Sequence, residues 1–118
     1  IYTNKQIEFL IAEIVREKVF NLTNEEVPHS VTCVVERIKK EKNNYSINVS
    51  IIVDRDSLKK IIIGKQGNMI KEIGIEARKD LEDLLENKVY LDLFVKTIKD
   101  WRDKEKYLQE FGFKDFLE

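Results

Sequence analysis

Ten residues constrain this chain more than any other stretch: Ile61-Ile62-Ile63-Gly64-Lys65-Gln66-Gly67-Asn68-Met69-Ile70. An apolar run meets two glycines three apart, with Lys65 and Gln66 between them, and an amphipathic pattern follows. Glycine is used where the backbone needs positive φ or where another chain must approach closely. The second glycine stands where a helix begins, and the first-turn amides of a helix have no internal partners. Such amides form an anion site, and Lys65 adds a full positive charge beside it. The expectation is that amides near Gly67 and Asn68 donate to a phosphate.

Charge gathers around this loop. Between Arg55 and Lys79 there are seven basic side chains against three acidic ones, a local +4, although the whole chain carries −1. The first 28 residues hold three basic and five acidic side chains, a local −2. Distribution says more about a polyanionic partner than the sum does. A solvated helix face would account for the same charge equally well.

Other function classes are excluded or weakened. The chain has 118 residues, enough for one domain with a core, and with 42% hydrophobic residues and one proline it is globular. No apolar run approaches the roughly 20 residues that cross a bilayer, and no signal-peptide pattern opens the chain. The first residue is Ile1, which reads as a fragment or a processed chain. Cys33 is the one cysteine, a buried small hydrophobe suited to a reducing compartment. His29, the one histidine, follows Pro28 in a connector without ligand neighbours, so no metal or Ser/His/Asp set is expected. Gly64-Lys65 is followed by Gln66, with Lys59 five positions before Gly64, so the P-loop pattern is absent. Asn87-Lys88 is followed by Val89-Tyr90, so the guanine-reading Asn-Lys-X-Asp pattern is absent too.

Along the chain, Thr3 to Gln6 reads as a capping box, with Tyr2 and Ile7 as a hydrophobic staple. Ile7, Leu10, Ile11 and Ile14 mark a helical stripe to about Phe20, and Asn21 to Pro28 is a connector. Ser30 to Ile38 and Tyr45 to Val53 read as strands joined by a charged turn, hence an antiparallel hairpin. In the first strand, Val31, Cys33 and Val35 should face the helices, and the set with Thr32, Val34 and Glu36 should be exposed. Leu58 to Ile63 is ambiguous: three isoleucines favour a strand, while Ser57 as N-cap favours a helical turn. A long helix from Asn68 to about Glu86 should bury Ile70, Ile73, Ala77, Leu81, Leu84 and Leu85, closing at Asn87 in a left-handed conformation. Gly74 inside it costs about 1 kcal/mol relative to alanine, which close packing would offset. Val89, Leu91, Leu93 and Val95 alternate as a third strand, parallel to the second with a right-handed connection. Asp103 to Phe111 suits a short C-terminal helix, capped by Gly112 with Phe113 folding back.

The order helix, strand, strand, short helix, Gly-X-X-Gly, helix, strand resembles a type II KH domain over nearly the whole chain, with the loop as its nucleic-acid backbone clamp. Separate blocks sharpen the likeness: Val-Pro-His-Ser-Val-Thr (27–32), Ile-Ile-Ile-Gly-Lys-Gln-Gly (61–67), Ile-Lys-Glu-Ile-Gly-Ile-Glu-Ala-Arg (70–78) and Val-Tyr-Leu-Asp-Leu-Phe-Val-Lys (89–96). With Asp100-Trp101-Arg102 and Leu-X-X-Phe-Gly-Phe (108–113), they are similar to the C-terminal domain of the Era family of bacterial GTPases. The resemblance implies an α+β fold: a three-stranded mixed sheet with helices on one face, an N-terminal helix over 3–20 and a C-terminal helical extension over about 100–118. It tips Leu58 to Ile63 toward a short helix. A GTPase domain would precede this one, carrying GTP and Mg, with no cofactor in the present chain. The implied partners are single-stranded RNA, namely the 3′ end of small-subunit ribosomal RNA, and the small ribosomal subunit whose assembly the parent assists. The implied location is cytoplasmic, with peripheral inner-membrane association through the parent.

Carried onto this sequence, the RNA-binding set is Gly64, Lys65, Gln66, Gly67 and Asn68 of the loop, with Lys60, Ile63, Ile70, Lys71 and Arg78 around it. Ile63 and Ile70 would form an aliphatic floor, with the core as their other destination. Lys71 and Arg78 would flank the groove or else be solvated, and Gly74 reads as a packing site. The opposite wall should come from a strand or the hairpin. The competing reading is a protein-interaction module on the same scaffold, favoured by the near-neutral total charge.

Overall fold

A computed structural model describes residues 3–24, 27 and 31–110. Tyr2, Pro28, His29, Ser30 and the expected cap at Gly112 and Phe113 lie outside the described residues. Helix α1 (Asn4–Leu22) starts with the capping box. The Gln6 amide donates to Thr3 Oγ1 at 3.2 Å, and the Thr3 amide donates to Gln6 Oε1 at 2.8 Å. The helix runs two residues beyond Phe20. Its deepest line is Ile11, Val15 and Val19, with Ile7 and Ile14 packed at its margins. Of the expected stripe Ile7, Leu10, Ile11 and Ile14, only Leu10 is outside the core, because spacing of four puts 11, 15 and 19 above one another.

Strands β1 (Thr32–Lys40) and β2 (Asn44–Val53) form the antiparallel hairpin, and β3 (Lys88–Thr97) lies parallel to β2, so β3 is an edge of a sheet ordered β1-β2-β3. Val31 and Cys33 are buried and Val35 packs against the core, as alternation required, but of the set expected to be exposed only Glu36 is: Thr32 is buried and Val34 half-buried. Glu36 is an extra residue: Val35 pairs with Val49 and Arg37 with Asn48. This bulge switches parity, so Ile38 rather than Arg37 joins the core beside Ile47. The Cys33 thiol is pushed far above its ordinary value by burial, which keeps it protonated and inert.

Residues 58–63 are helical. Helix α2 (Asp56–Ile63) buries Leu58 and Ile62, four apart on one helix face, and leaves Lys60 exposed, whereas a strand would have placed Lys60 on the same face between them. Its N-cap is Arg55 and not Ser57, which lies inside the first turn behind Asp56. Helix α3 (Asn68–Leu85) buries Ile73, Ala77 and Leu81 against the sheet, while Ile70, Leu84 and Leu85 are half-buried. It closes one residue earlier than expected. Glu86, not Asn87, adopts the left-handed conformation, and its amide donates to the Glu82 carbonyl. The Glu82 carboxylate also accepts the Val89 amide at 3.0 Å, so one side chain holds the helix end to the start of β3.

Helices α1, α2 and α3 pack on one face of the sheet, with Ile47, Val49, Ile51, Val53 and Val89 beneath them. Lys18 Nζ meets Asp80 at 2.7 Å between α1 and α3, and this contact holds the Lys18 ammonium above its usual value. The other face is not wholly open: Thr32, Ser50 and Ile52 are buried there. The chain leaving β3 is pinned at that end of the sheet, with the Ile98 amide donating to the Val53 carbonyl at 2.8 Å. Trp101, in the turn Trp101–Asp103, and Ile52 are each 1% exposed and stand apart from the helix-side core. A short helix, α4 (Glu105–Glu110), follows.

Candidate nucleic-acid interface

The loop is built by its two glycines in different ways. Gly64 ends α2 with its amide on the Lys60 carbonyl at 2.9 Å and sits at φ 75, ψ 178. Lys65–Gly67 then make one tight 3-10 turn, in which Gln66 takes φ 56 and Gly67 φ 75, and α3 begins. Lys65, Gln66 and Asn68 are exposed. The amides of Gly67 and Asn68 are not the free donors the sequence suggests. Gly67 donates to the Gly64 carbonyl at 3.2 Å and Asn68 to the Lys65 carbonyl. The turn consumes its own exit amides. Those of Lys65 and Gln66 have no backbone acceptor among the described residues, and they lie at the exposed tip.

Beside the loop, α3 and the edge strand β3 part to leave a surface groove of about 380 Å³. Ile70, Lys71, Gly74, Ile75 and Arg78 line it from the helix, and Tyr90, Leu91, Asp92 and Leu93 from the strand. Ile63 and Ile70 are half-buried and outside the core, whereas Ile61 and Met69 pack on it. Ile63 and Lys60 do not line this groove; they lie on α2, and Lys60 is exposed.

The local positive charge divides into spent and unspent groups. Arg55 pairs with Asp54 at 3.2 Å and Lys79 with Glu76 at 3.2 Å. Lys59, Lys60, Lys65, Lys71 and Arg78 have no acidic partner within 4.0 Å among the described residues. Among those residues there is also no cluster of His, Cys, Asp or Glu able to hold a metal, and no helix long and apolar enough to cross a membrane.

A family profile described as KH domain matches residues 26–102, well over half of the chain. The chain belongs to the KH domain family. It is 52% identical to the GTPase Era of Carboxydothermus hydrogenoformans over 92% of its own length and 37% of that protein's. It superposes on a crystal structure of an Aquifex aeolicus Era variant bound to GDP·AlF4 with a TM-score of 0.83, at 49% identity, covering 90% of this chain and 36% of that one. A crystal structure of Era in complex with MgGDPNP and nucleotides 1506–1542 of 16S ribosomal RNA gives a TM-score of 0.85 at 48% identity, covering 91% and 36%. The chain thus spans little more than a third of these relatives.

The KH groove contains residues that strand periodicity hid. Tyr90 and Asp92 sit at alternate positions that point to the face away from the helices, so alternation alone consigns them to solvent. They border the groove because β3 is an edge strand, a fact of topology and not of pattern. Gly74 also has a different significance from the one its cost suggests. A methyl group there would meet Leu93 Cδ1 at 3.7 Å, an ordinary contact, so packing does not demand glycine. Glycine leaves the groove open between Lys71 and Arg78. Gly74→Ala is therefore expected to stabilise the fold by up to about 1 kcal/mol while weakening ligand binding, read by paired melting curves and titrations.

Proposed function

We propose that this chain binds single-stranded RNA in the groove between α3 and β3, with the Gly-X-X-Gly turn as the phosphate clamp. The observation that carries this reading is the exposed Lys65–Gln66 tip, with its unspent amides and cation, at the head of a groove flanked by Lys71 and Arg78. RNA bases are readable only where they are unpaired, and such a groove holds about four nucleotides. The phosphate–sugar backbone passes the turn, where Gly64 and Gly67 keep the surface clear and the Lys65 and Gln66 amides donate. Bases lie over Ile70 and Gly74, with Ile63 and Lys60 contributing from α2 near the loop. The unpaired edge of β3 presents backbone donors and acceptors to the base edges.

The RNA-bound Era neighbour supports the 3′ region of small-subunit ribosomal RNA as the ligand, and the chain as the RNA-binding part of an Era-like ribosome-assembly GTPase. GTP and Mg belong, on this reading, to a separate GTPase domain of the parent, as does any peripheral membrane contact of a cytoplasmic protein. The P-loop pattern and the guanine-reading Asn-Lys-X-Asp pattern are both missing from the sequence. The purified chain is expected to turn over no GTP above a buffer control.

The test is titration of the chain with short single-stranded RNAs against duplex and DNA controls. Affinity should fall with salt by about 0.7 log units per phosphate contact per tenfold rise. The overall charge of −1 favours a second reading, a protein-interaction module on the KH scaffold. Equal, weak and salt-insensitive binding to every nucleic acid would select it.

A further inference from the structure

The face of the sheet turned away from the helices is closed at one end. There Trp101 and Ile52 are each 1% exposed, and Val34 is half-buried opposite Ser50. Apolar surface continues along β3 beyond this closure: Phe94 is 49% exposed and Tyr90 52% exposed. The two rings stand on the same side of one strand, about 13 Å apart at 3.3 Å per residue. Their register partners on β2, Ser50 and Ser46, are too small to shield them. An exposed apolar patch of this kind marks a surface that another segment covers.

The chain itself supplies an occupant of the right chemistry. Helix α4 packs on the Trp101 turn, so the chain reaches Glu110 near the closed end of this face. Residues 111–118, outside the described ones, read Phe-Gly-Phe-Lys-Asp-Phe-Leu-Glu. Four of them are apolar, and Asp115 and Glu118 outweigh Lys114. The face has the opposite sign. The register places Arg37, Lys39, Lys88 and Lys96 on it, against Asp92 and the bulged Glu36. Glu36 is already engaged by Lys96 at 3.7 Å, which leaves a cationic surplus. Length also fits. Eight residues extend over about 26 Å, and β3 from Thr97 back to Tyr90 measures about 23 Å.

We infer that residues 111–118 form a strap over this face, with their phenylalanines covering Phe94 and Tyr90 and their carboxylates meeting the cationic rim. Building on the groove reading, the strap is also a competitor. Tyr90 borders the groove, so RNA occupying that end of it has to displace the strap. The apparent affinity for RNA is then lowered by the fraction of chains whose strap is open.

The experiment uses the 118-residue chain. Cys33 is buried with its thiol held protonated, so Glu118→Cys takes a nitroxide label selectively. Without RNA, the label is expected to broaden the amide signals of Tyr90 and Phe94, and Phe94→Ala should abolish the effect. Phe113→Ser combined with Phe116→Ser should release the label and leave the melting temperature within a few degrees. The same double variant should bind a single-stranded RNA of about four nucleotides at least about threefold tighter, as expected for a strap closed about two thirds of the time. Broadening that is absent, that survives Phe94→Ala, or that passes from labelled chains to unlabelled ones in a mixture overturns the strap. Release of the label with unchanged RNA affinity overturns the competition. Failure of wild type and variant alike to bind RNA removes the groove reading and the competition with it, while the label still decides the docking.

Discussion

Replacing Lys65 and Gln66 together with aspartate is expected to lower RNA affinity by two or more decades while leaving the melting temperature within a few degrees of wild type. The two effects separate because the residues form the exposed tip of the turn and touch no part of the core. Surface changes of this kind usually stay within about 0.5 kcal/mol of stability. Neither residue takes a side-chain cap role: no side-chain hydrogen bond closes this turn or starts α3. Gln66 has φ 56, which aspartate tolerates better than most residues. Binding is another matter. The variant removes one cation and sets two carboxylates beside the amides at which a phosphate would sit. Like charges juxtaposed across an interface cost several kcal/mol, and each 1.4 kcal/mol is about a factor of ten. Titration of both proteins alongside their melting curves decides it. Unchanged affinity at unchanged stability would remove the loop as the clamp and favour the protein-interaction reading.

Much of this architecture is legible in the sequence because it rests on period and spacing. The capping box at Thr3 and Gln6, the alternation of β2 and β3, and the two glycines of the loop are each local signals with one physical meaning. Leu58 to Ile63 is not decidable locally. Six residues complete fewer than two helical turns, and only the sheet beneath Leu58 and Ile62 selects the helix. The left-handed residues Gln66, Glu86 and Asp100 are equally silent. Their conformations answer to what the chain must do next, as when Glu82 holds the α3 exit and Glu86 makes the turn that Asn87 was better suited to make. The exhausted amides of Gly67 and Asn68 belong to the same class. A helix N-terminus suggests free donors, but a preceding 3-10 turn reverses into them. The groove was legible from its helix side, through Ile70, Lys71 and Arg78. Its strand side was not, since Tyr90 and Asp92 enter only because β3 has no neighbour.

The two loop glycines should respond very differently to alanine, although a Gly-X-X-Gly pattern treats them alike. Both have φ 75, but the rest of their surroundings differ. Gly67 has ψ 13, the ordinary left-handed region, and a methyl group there would meet nothing within 4 Å. Gly67→Ala therefore bears only the backbone cost, about 1–2 kcal/mol. Gly64 has ψ 178, a region essentially reserved for glycine, where a side chain costs about 1–3 kcal/mol. Its methyl group would also lie 2.5 Å from Met69 Cβ and 2.9 Å from the Met69 backbone nitrogen. No rotamer relieves that overlap, because both atoms are fixed by the first turn of α3, and Met69 packs against the core. Overpacking of this kind adds about 1–3 kcal/mol. Gly64→Ala should thus lose several kcal/mol in urea unfolding, shifting α2 against α3 or melting the start of α3, and RNA binding should fall with it. Gly67→Ala should unfold within about 2 kcal/mol of wild type and retain measurable RNA binding. If Gly67→Ala proved the less stable of the two, the turn would not hold the Gly64-to-Met69 contact in solution, and the clamp geometry built on it would have to be abandoned.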